Sequence, residues 1–153
     1  MPVYFYASWL TSKATDVDVV AMIKGYTAIR EKILEIQAKG FEASNKEVGQ
    51  LESLKVCLEA SARGINFLGV DLLKSEATTW GVLDDYNIYP PFSAIDGLGD
   101  TVAKAIVEER KKRNFTSIED LQKRAKISQT LIDKLRKMNV LNGLDESDQL
   151  SLF

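Results

Sequence analysis

The 153-residue sequence contains no histidine and a single cysteine, Cys57. Without an imidazole, every Ser-His or Cys-His catalytic arrangement is excluded, and a Cys/His metal site cannot be assembled. One cysteine cannot form an internal disulfide, which fits a reducing compartment, so the cytoplasm is the expected location. No apolar run reaches the roughly 18 residues of a membrane span, and the N-terminus lacks the basic-then-apolar order of a secretory signal. Strong net charge is missing too: 20 basic against 22 acidic side chains give −2, and with 45% apolar residues whole-chain disorder is excluded.

The charge that is present is unevenly placed. Residues 1–92 carry 9 basic and 12 acidic groups, residues 93–138 carry 11 and 7, and residues 139–153 carry three acids and no base. A basic segment between two acidic ones points to a local polyanion contact, although solvated lysines at helix ends would produce the same pattern.

Residues 1–10 are apolar and aromatic without alternation, which fits a buried helix or a strand. Asp16 or Asp18 is placed to cap one long helix reaching about Lys39, with Val19, Met22, Ile23, Tyr26, Ile29, Ile33 and Ile36 as its apolar stripe and Gly40 as its stop. Ser44 and Glu47 have capping-box spacing, and the helix behind them shows Val48, Leu51, Leu54, Leu58 and Ala62 on one face and ends at Gly64. The short connection predicts an antiparallel helical pair. Short strands follow, with a turn at Asp84-Asp85, and Pro90-Pro91 closes that unit, so a domain boundary is expected at about residue 91.

Gly97-Leu98-Gly99 then precedes a helix expected to be capped by Asp100 or Thr101, with Ala103, Ile106 and Val107 inward. Free amides at a glycine-lined helix start form a phosphate-binding geometry, and Lys104 lies one turn in. A second unit has Thr116 and Glu119 at capping-box spacing, Ile118 and Leu121 inward, and a tight Lys126-Ile127-Ser128 connection. Its second helix carries Leu131, Ile132, Leu135 and Met138 and stops at Asn139. Residues 142–148 read as a solvated acidic linker before Gln149-Leu150-Ser151-Leu152-Phe153, whose apolar side chains need a cover.

The G-h-G-x-x-x-A pattern at 97–103 resembles the helix-hairpin-helix motif, which binds the DNA backbone without reading sequence. The string QLSLF matches the bacterial sliding-clamp-binding motif letter for letter. The chain as a whole resembles the C-terminal end of the PolC-type α subunit of bacterial DNA polymerase III, through PVYFYASWL at 2–10, NFLGVDLLKSEAT at 66–78, IYPPFSAIDGLG at 88–99, EDLQKRAKISQTLIDKL at 119–135 and the terminal QLSLF.

That resemblance implies a mainly α fold with a small β element: residues 1–90 closing the fingers region, a tandem helix-hairpin-helix domain over 91–141, and a tail over 142–153. It implies duplex DNA, the β sliding clamp and the remainder of the polymerase as partners, with no membrane. The implied DNA contacts are Gly97, Leu98, Gly99, Asp100, Thr101 and Lys104 in the first hairpin, and Lys126, Ser128, Gln129 and Thr130 in the second. The clamp contacts are Gln149, Leu150, Ser151, Leu152 and Phe153. The polymerase resembles a two-metal (Mg) nucleotidyltransferase, whereas this stretch matches none of its catalytic carboxylates, so no catalytic residue, metal or cofactor is expected here. A protein–protein module built on the helical pair, and a free-standing repair accessory protein with a structural hairpin, are the competing readings.

Overall fold

The computed structural model describes residues 2–13 and 16–148. It opens with helix α1 (Pro2–Lys13), which resolves the helix-or-strand ambiguity of the first ten residues; Val3, Tyr6, Ala7 and Leu10 form its buried side. The expected single helix to Lys39 is instead two, α2 (Val19–Lys24) and α3 (Tyr26–Lys39), broken at Gly25. Gly25 has φ 99° and ψ −168°, a conformation essentially restricted to glycine, and this break turns Ile23 and Tyr26 out of the stripe into solvent. Asp18, not Asp16, is the cap of α2, accepting from the Ala21 amide at 3.1 Å. Gly40 ends α3 as its position predicts, leading through a 3-10 turn (Gly40–Glu42) to helix α4 (Asn45–Ala62).

The capping box of α4 is present: Ser44 Oγ accepts from the Glu47 amide and Glu47 accepts from the Ser44 amide, each at 3.1 Å. Lys39 donates to the Glu47 carboxylate at 2.6 Å, tying the end of α3 to the start of α4. That contact, with the Ser44 amide beside it, holds the Glu47 carboxyl at about 2. The buried face of α4 is rotated from the expected one: Gln50, Ser53, Leu54, Cys57 and Ala60 point inward, and Val48 is exposed. An all-apolar stripe is the wrong criterion here, because Gln50 and Ser53 satisfy main-chain carbonyls of the distant α1–α2 connection. Gln50 donates to Val17 O at 3.2 Å and Ser53 to Asp16 O at 2.6 Å.

Three short strands follow, β1 (Asn66–Phe67), β2 (Gly81–Val82) and β3 (Asn87–Tyr89), in the order β1-β3-β2. The β2–β3 pair is the expected antiparallel hairpin, and β1 adds a parallel neighbour to β3. Asp84 closes the hairpin by accepting from the Tyr86 amide at 2.9 Å and from the Asn87 side chain. After a 3-10 turn (Phe92–Ala94) come α5 (Asp100–Lys112), α6 (Ile118–Ala125) and α7 (Gln129–Lys137).

The apolar interior forms two clusters. One joins α1 to α4 and the sheet around Leu10, Met22, Ile29, Leu54 and Ile88. The other joins α5 to α7 around Phe92, Leu98, Ile106, Leu121 and Leu135, and it also takes in Val70 and Leu72 from the loop after β1, well before residue 91. Ala94 belongs to the first cluster, and Met138 packs against both.

A Cβ at Gly25 would meet no atom within 4 Å, so any cost of Gly25→Ala is conformational. The expected loss is about 1–3 kcal/mol in urea-induced unfolding; an unchanged midpoint would show that tertiary packing does not hold the α2–α3 break.

Candidate nucleic-acid interface

The two hairpin turns share one backbone design. In the first, Gly97 has φ 88°, Leu98 is 2% exposed, and Gly99 takes φ −75° and ψ 168° as N-cap of α5. In the second, Lys126 has φ 56°, Ile127 is 4% exposed, and Ser128 takes φ −68° and ψ 156° as N-cap of α7. Each turn therefore consists of a left-handed residue, an apolar plug and an extended cap. Lysine in the left-handed position costs roughly 1–2 kcal/mol, and here it closes α6, its amide bonding to the Gln122 carbonyl.

The expected capping of α5 by Asp100 or Thr101 is replaced by Gly99, which has no side chain to satisfy the first amides. Asp100 is the first residue of the helix, where a carboxylate favours the positive end of the helix dipole. Gly99 has an ordinary extended conformation, and an added Cβ would meet no atom within 4 Å. Neither strain nor packing within the chain accounts for glycine at 99, so its bareness leaves the main chain open to something outside. Gly97, by contrast, needs its positive φ and lies against the Leu131 side chain, which sets the first turn beside α7. Lys134 of α7 strengthens that placement by donating to the Asp96 carbonyl at 2.7 Å.

Of the implied contact residues, Leu98 is buried. Gly97, Gly99, Asp100, Thr101, Lys104, Lys126, Ser128, Gln129 and Thr130 are exposed. Ser128 differs from Gly99 in spending its hydroxyl on the Leu131 amide at 3.3 Å. Gln129 donates to Asp133 and accepts from Gln122. The clamp residues Gln149 to Phe153 lie outside the described residues.

Most of the basic run is consumed by the fold. Arg110 donates to the carbonyls of Leu72 and Ser75 at 3.0 and 2.8 Å, fastening the loop after β1. Lys111 and Lys112 pair with Glu108 and Glu109. Arg113 and Arg124 converge on the buried Asp120, and Arg124 also stacks over Phe115 at 4.6 Å. Among the described residues, the cations of 93–138 that make no ion pair are Arg110, which is spent on the Leu72 and Ser75 carbonyls, and Lys104, Lys126 and Lys137; of these lysines the first two sit at the hairpins.

The second capping site is shifted by one residue from the expected Thr116–Glu119 pair. Ser117 caps α6, accepting from the Asp120 amide at 2.9 Å, while Asp120 accepts from the Thr116 amide at 3.1 Å. The acidic stretch expected to be solvated is docked here. Asp145 and Glu146 carbonyls accept from the Ile118 and Glu119 amides at 2.8 and 3.1 Å, Arg136 forms a bidentate pair with Glu146, and Thr116 donates to Asp148. Composition conveys the charge of this strap but not the main-chain carbonyls that dock it.

Asp71 and Asp84 do not converge on a metal site. Asp71 accepts from the Leu73 and Lys74 amides, Asp84 closes the β2–β3 turn, and no group of three or more His, Cys, Asp or Glu among the described residues is placed to hold an ion. No helix among the described residues is long and apolar enough to cross a membrane.

Burial alone would push the Asp120 carboxyl up, but the Thr116 amide with Arg113 and Arg124 outweighs it and holds the group at about 2. The folded value lies below the ordinary carboxylate range, so this contribution to stability is complete above pH 4 and fades as pH falls toward 2. Acid titration of unfolding should show that loss, and Asp120→Asn should remove it; an identical acid profile in the variant would exclude Asp120 as its source.

Comparison with known proteins places this geometry. Residues 64–150 match the helix-hairpin-helix motif family. The chain is similar to DNA polymerase III PolC-type of Halalkalibacterium halodurans, 46% identical over 152 residues, which is 99% of this chain and 10% of that protein. It is 42% identical to the PolC-type polymerase of Latilactobacillus sakei over the same shares. With that of Oceanobacillus iheyensis it shares 45% identity over 99% of this chain and 11% of that protein. The chain spans about a tenth of the length of these relatives. The chain belongs to the helix-hairpin-helix family, in the form found within PolC-type DNA polymerase III, one stretch of which it matches nearly end to end.

Proposed function

We propose that this chain holds duplex DNA by its sugar–phosphate backbone and ties a bacterial replicative polymerase to its sliding clamp. The observation that carries the reading is Gly99: a bare, exposed, unstrained cap in front of uncapped helix amides, with Lys104 one turn away. Such amides with a nearby cation suit a phosphate oxygen and carry no information about base sequence. The Lys126–Ser128 turn repeats the design beside it, so both hairpins can meet backbone phosphates, the first through glycine amides and the second through Lys126, Ser128, Gln129 and Thr130.

QLSLF at 149–153 supports the clamp tether through its identity to the clamp-binding motif. Two or three buried apolar side chains at about 1.5–3 kcal/mol each, less the cost of ordering a peptide, give an affinity of roughly micromolar order. Nucleotidyl transfer, with the two divalent metals the resemblance implies, is assigned to the parts of the longer relatives outside this stretch. Tyr4, Phe5, Tyr26, Leu34 and Phe41 are exposed on the helical part, as contact with the remainder of such a polymerase would require. The cytoplasm is the matching location.

Duplex binding should be equal for unrelated sequences and should fall with salt at about −0.9 in log–log slope per neutralised phosphate. Strong sequence dependence, or no response to salt, would rule the hairpin reading out. Gly99→Val should lower duplex affinity by roughly tenfold, about 1.4 kcal/mol, with at most a small fall in thermal midpoint, because φ −75° suits valine although valine is a poorer helix cap than glycine. Unaltered affinity would show that nothing approaches this cap. Removing Leu150–Phe153 should abolish capture by purified clamp and leave the helical signal intact; retained capture would place clamp contact elsewhere.

A further inference from the structure

The first hairpin borders a cleft whose opposite wall belongs to neither hairpin. About 290 Å³ of space lies between the start of α4 and residues 93–99, bordered by Lys46, Gln50, Asp96, Gly97 and Gly99, with Lys46 the one cation of its lining. It adjoins a depression of about 380 Å³ that adds Lys32 and Lys134. The acids of that depression other than Asp96 are engaged: Asp18 caps α2, and Glu47 is held by the Ser44 amide and Lys39.

Asp96 is left facing two ammonium groups. Lys46 Nζ lies 2.8 Å from its carboxylate and Lys134 Nζ 3.9 Å, Lys134 also holding the Asp96 carbonyl. Over the whole depression Lys32, Lys46 and Lys134 are balanced by Asp18, Glu47 and Asp96, but immediately before Gly97 two ammonium groups face one carboxylate. Adding Asp100 and Lys104 keeps the sum around the turn at +1. Both Lys46 and Asp96 are more than half exposed, and an ion pair so placed contributes little to stability. Stability therefore gives no reason for a lysine at 46, whereas an anion reaching the turn amides from solvent would pass it.

We propose that Lys46 is a further DNA-backbone contact outside both hairpins, taking a phosphodiester adjacent to the one at Gly97–Gly99 in exchange for Asp96, whose carboxylate stays with Lys134. This rests on the hairpin reading above and extends the DNA path onto α4. The alternative is a structural clasp between α4 and the hairpin turn, and the two differ in sign. As a phosphate contact, Lys46→Gln lowers the log–log salt slope of duplex binding by about 0.9, while Asp96→Asn, which removes the carboxylate nearest the phosphate, tightens binding. As a clasp, both substitutions weaken binding together and lower the thermal midpoint.

The experiment is fluorescence anisotropy of the 153-residue chain on a random-sequence duplex across a salt series, with Gly99→Val and Lys104→Gln in parallel. The expected result is a reduced slope for Lys46→Gln and tighter binding for Asp96→Asn at wild-type thermal midpoints. An unchanged slope for Lys46→Gln, or weaker binding by Asp96→Asn, overturns the proposal. If Gly99→Val and Lys104→Gln also leave binding unaffected, the hairpin reading fails; if they weaken it, the failure is confined to Lys46.

Discussion

Insertion of one apolar side chain from each turn into a common core is the contact on which the hairpin face depends. Leu98 and Ile127 are buried in the cluster that also holds Ile106, Leu121 and Leu135. Pulling the middle of each turn inward leaves its first and third residues at the surface, and the helix behind it starts at a fixed place. The residue before the plug must then adopt positive φ, as Gly97 and Lys126 do. Burying an aliphatic side chain of this size is favourable by about 1.5–3 kcal/mol, which covers the left-handed lysine and makes glycine dispensable in the second turn.

Electrostatics are arranged around that core with little surplus. Arg110, Arg113 and Arg124 look in the sequence like a polyanion-binding run, yet they bond carbonyls and Asp120 at the junctions of α5 with its neighbours. Guanidinium suits this task because its planar fork serves several acceptors at once. The cations left at the hairpins are lysines, which are compact, strongly hydrated charges suited to phosphate contact without directional readout. Around the two hairpins, Arg110, Arg113 and Arg124 serve the fold, while Lys104 and Lys126 stand unpaired at the exposed turns.

How much of this was legible in the sequence follows the same physics. The capping box at Ser44, the stop at Gly40, the Asp84 turn and the Gly97–Gly99 hairpin are local devices, set by a few neighbouring residues, and the structure contains them all. What local pattern could not give was tertiary. An unbroken apolar spacing across Gly25 looks like one helix, because periodicity does not register a single positive-φ residue. The inward face of α4 departs from its apolar stripe because Gln50 and Ser53 go inside to meet the Val17 and Asp16 carbonyls, which reach α4 only once the α1–α2 connection packs on it. At α6 the competing residues Thr116 and Ser117 are adjacent, and Asp120, held by two arginines, decides in favour of Ser117.

The docked acidic strap bears on the proposed tether through geometry alone. Residues 145–148 lie along the start of α6, whereas the second hairpin turn is at its other end, and eight helical residues separate the two by about 12 Å. Five residues of chain beyond Asp148 reach at most roughly 17 Å. With the strap docked, a ring that takes the 149–153 peptide must sit against the side of this domain, close to whatever the hairpins hold. A short span of that kind raises the effective concentration of the second contact, so a peptide of modest affinity gains from a duplex already held. The Arg136–Glu146 pair, the Thr116–Asp148 bond and the two carbonyl–amide bonds to α6 therefore set the length of the proposed tether. Releasing them would return residues 142–148 to the span, lengthen it, and weaken the coupling between duplex and ring without touching either binding surface.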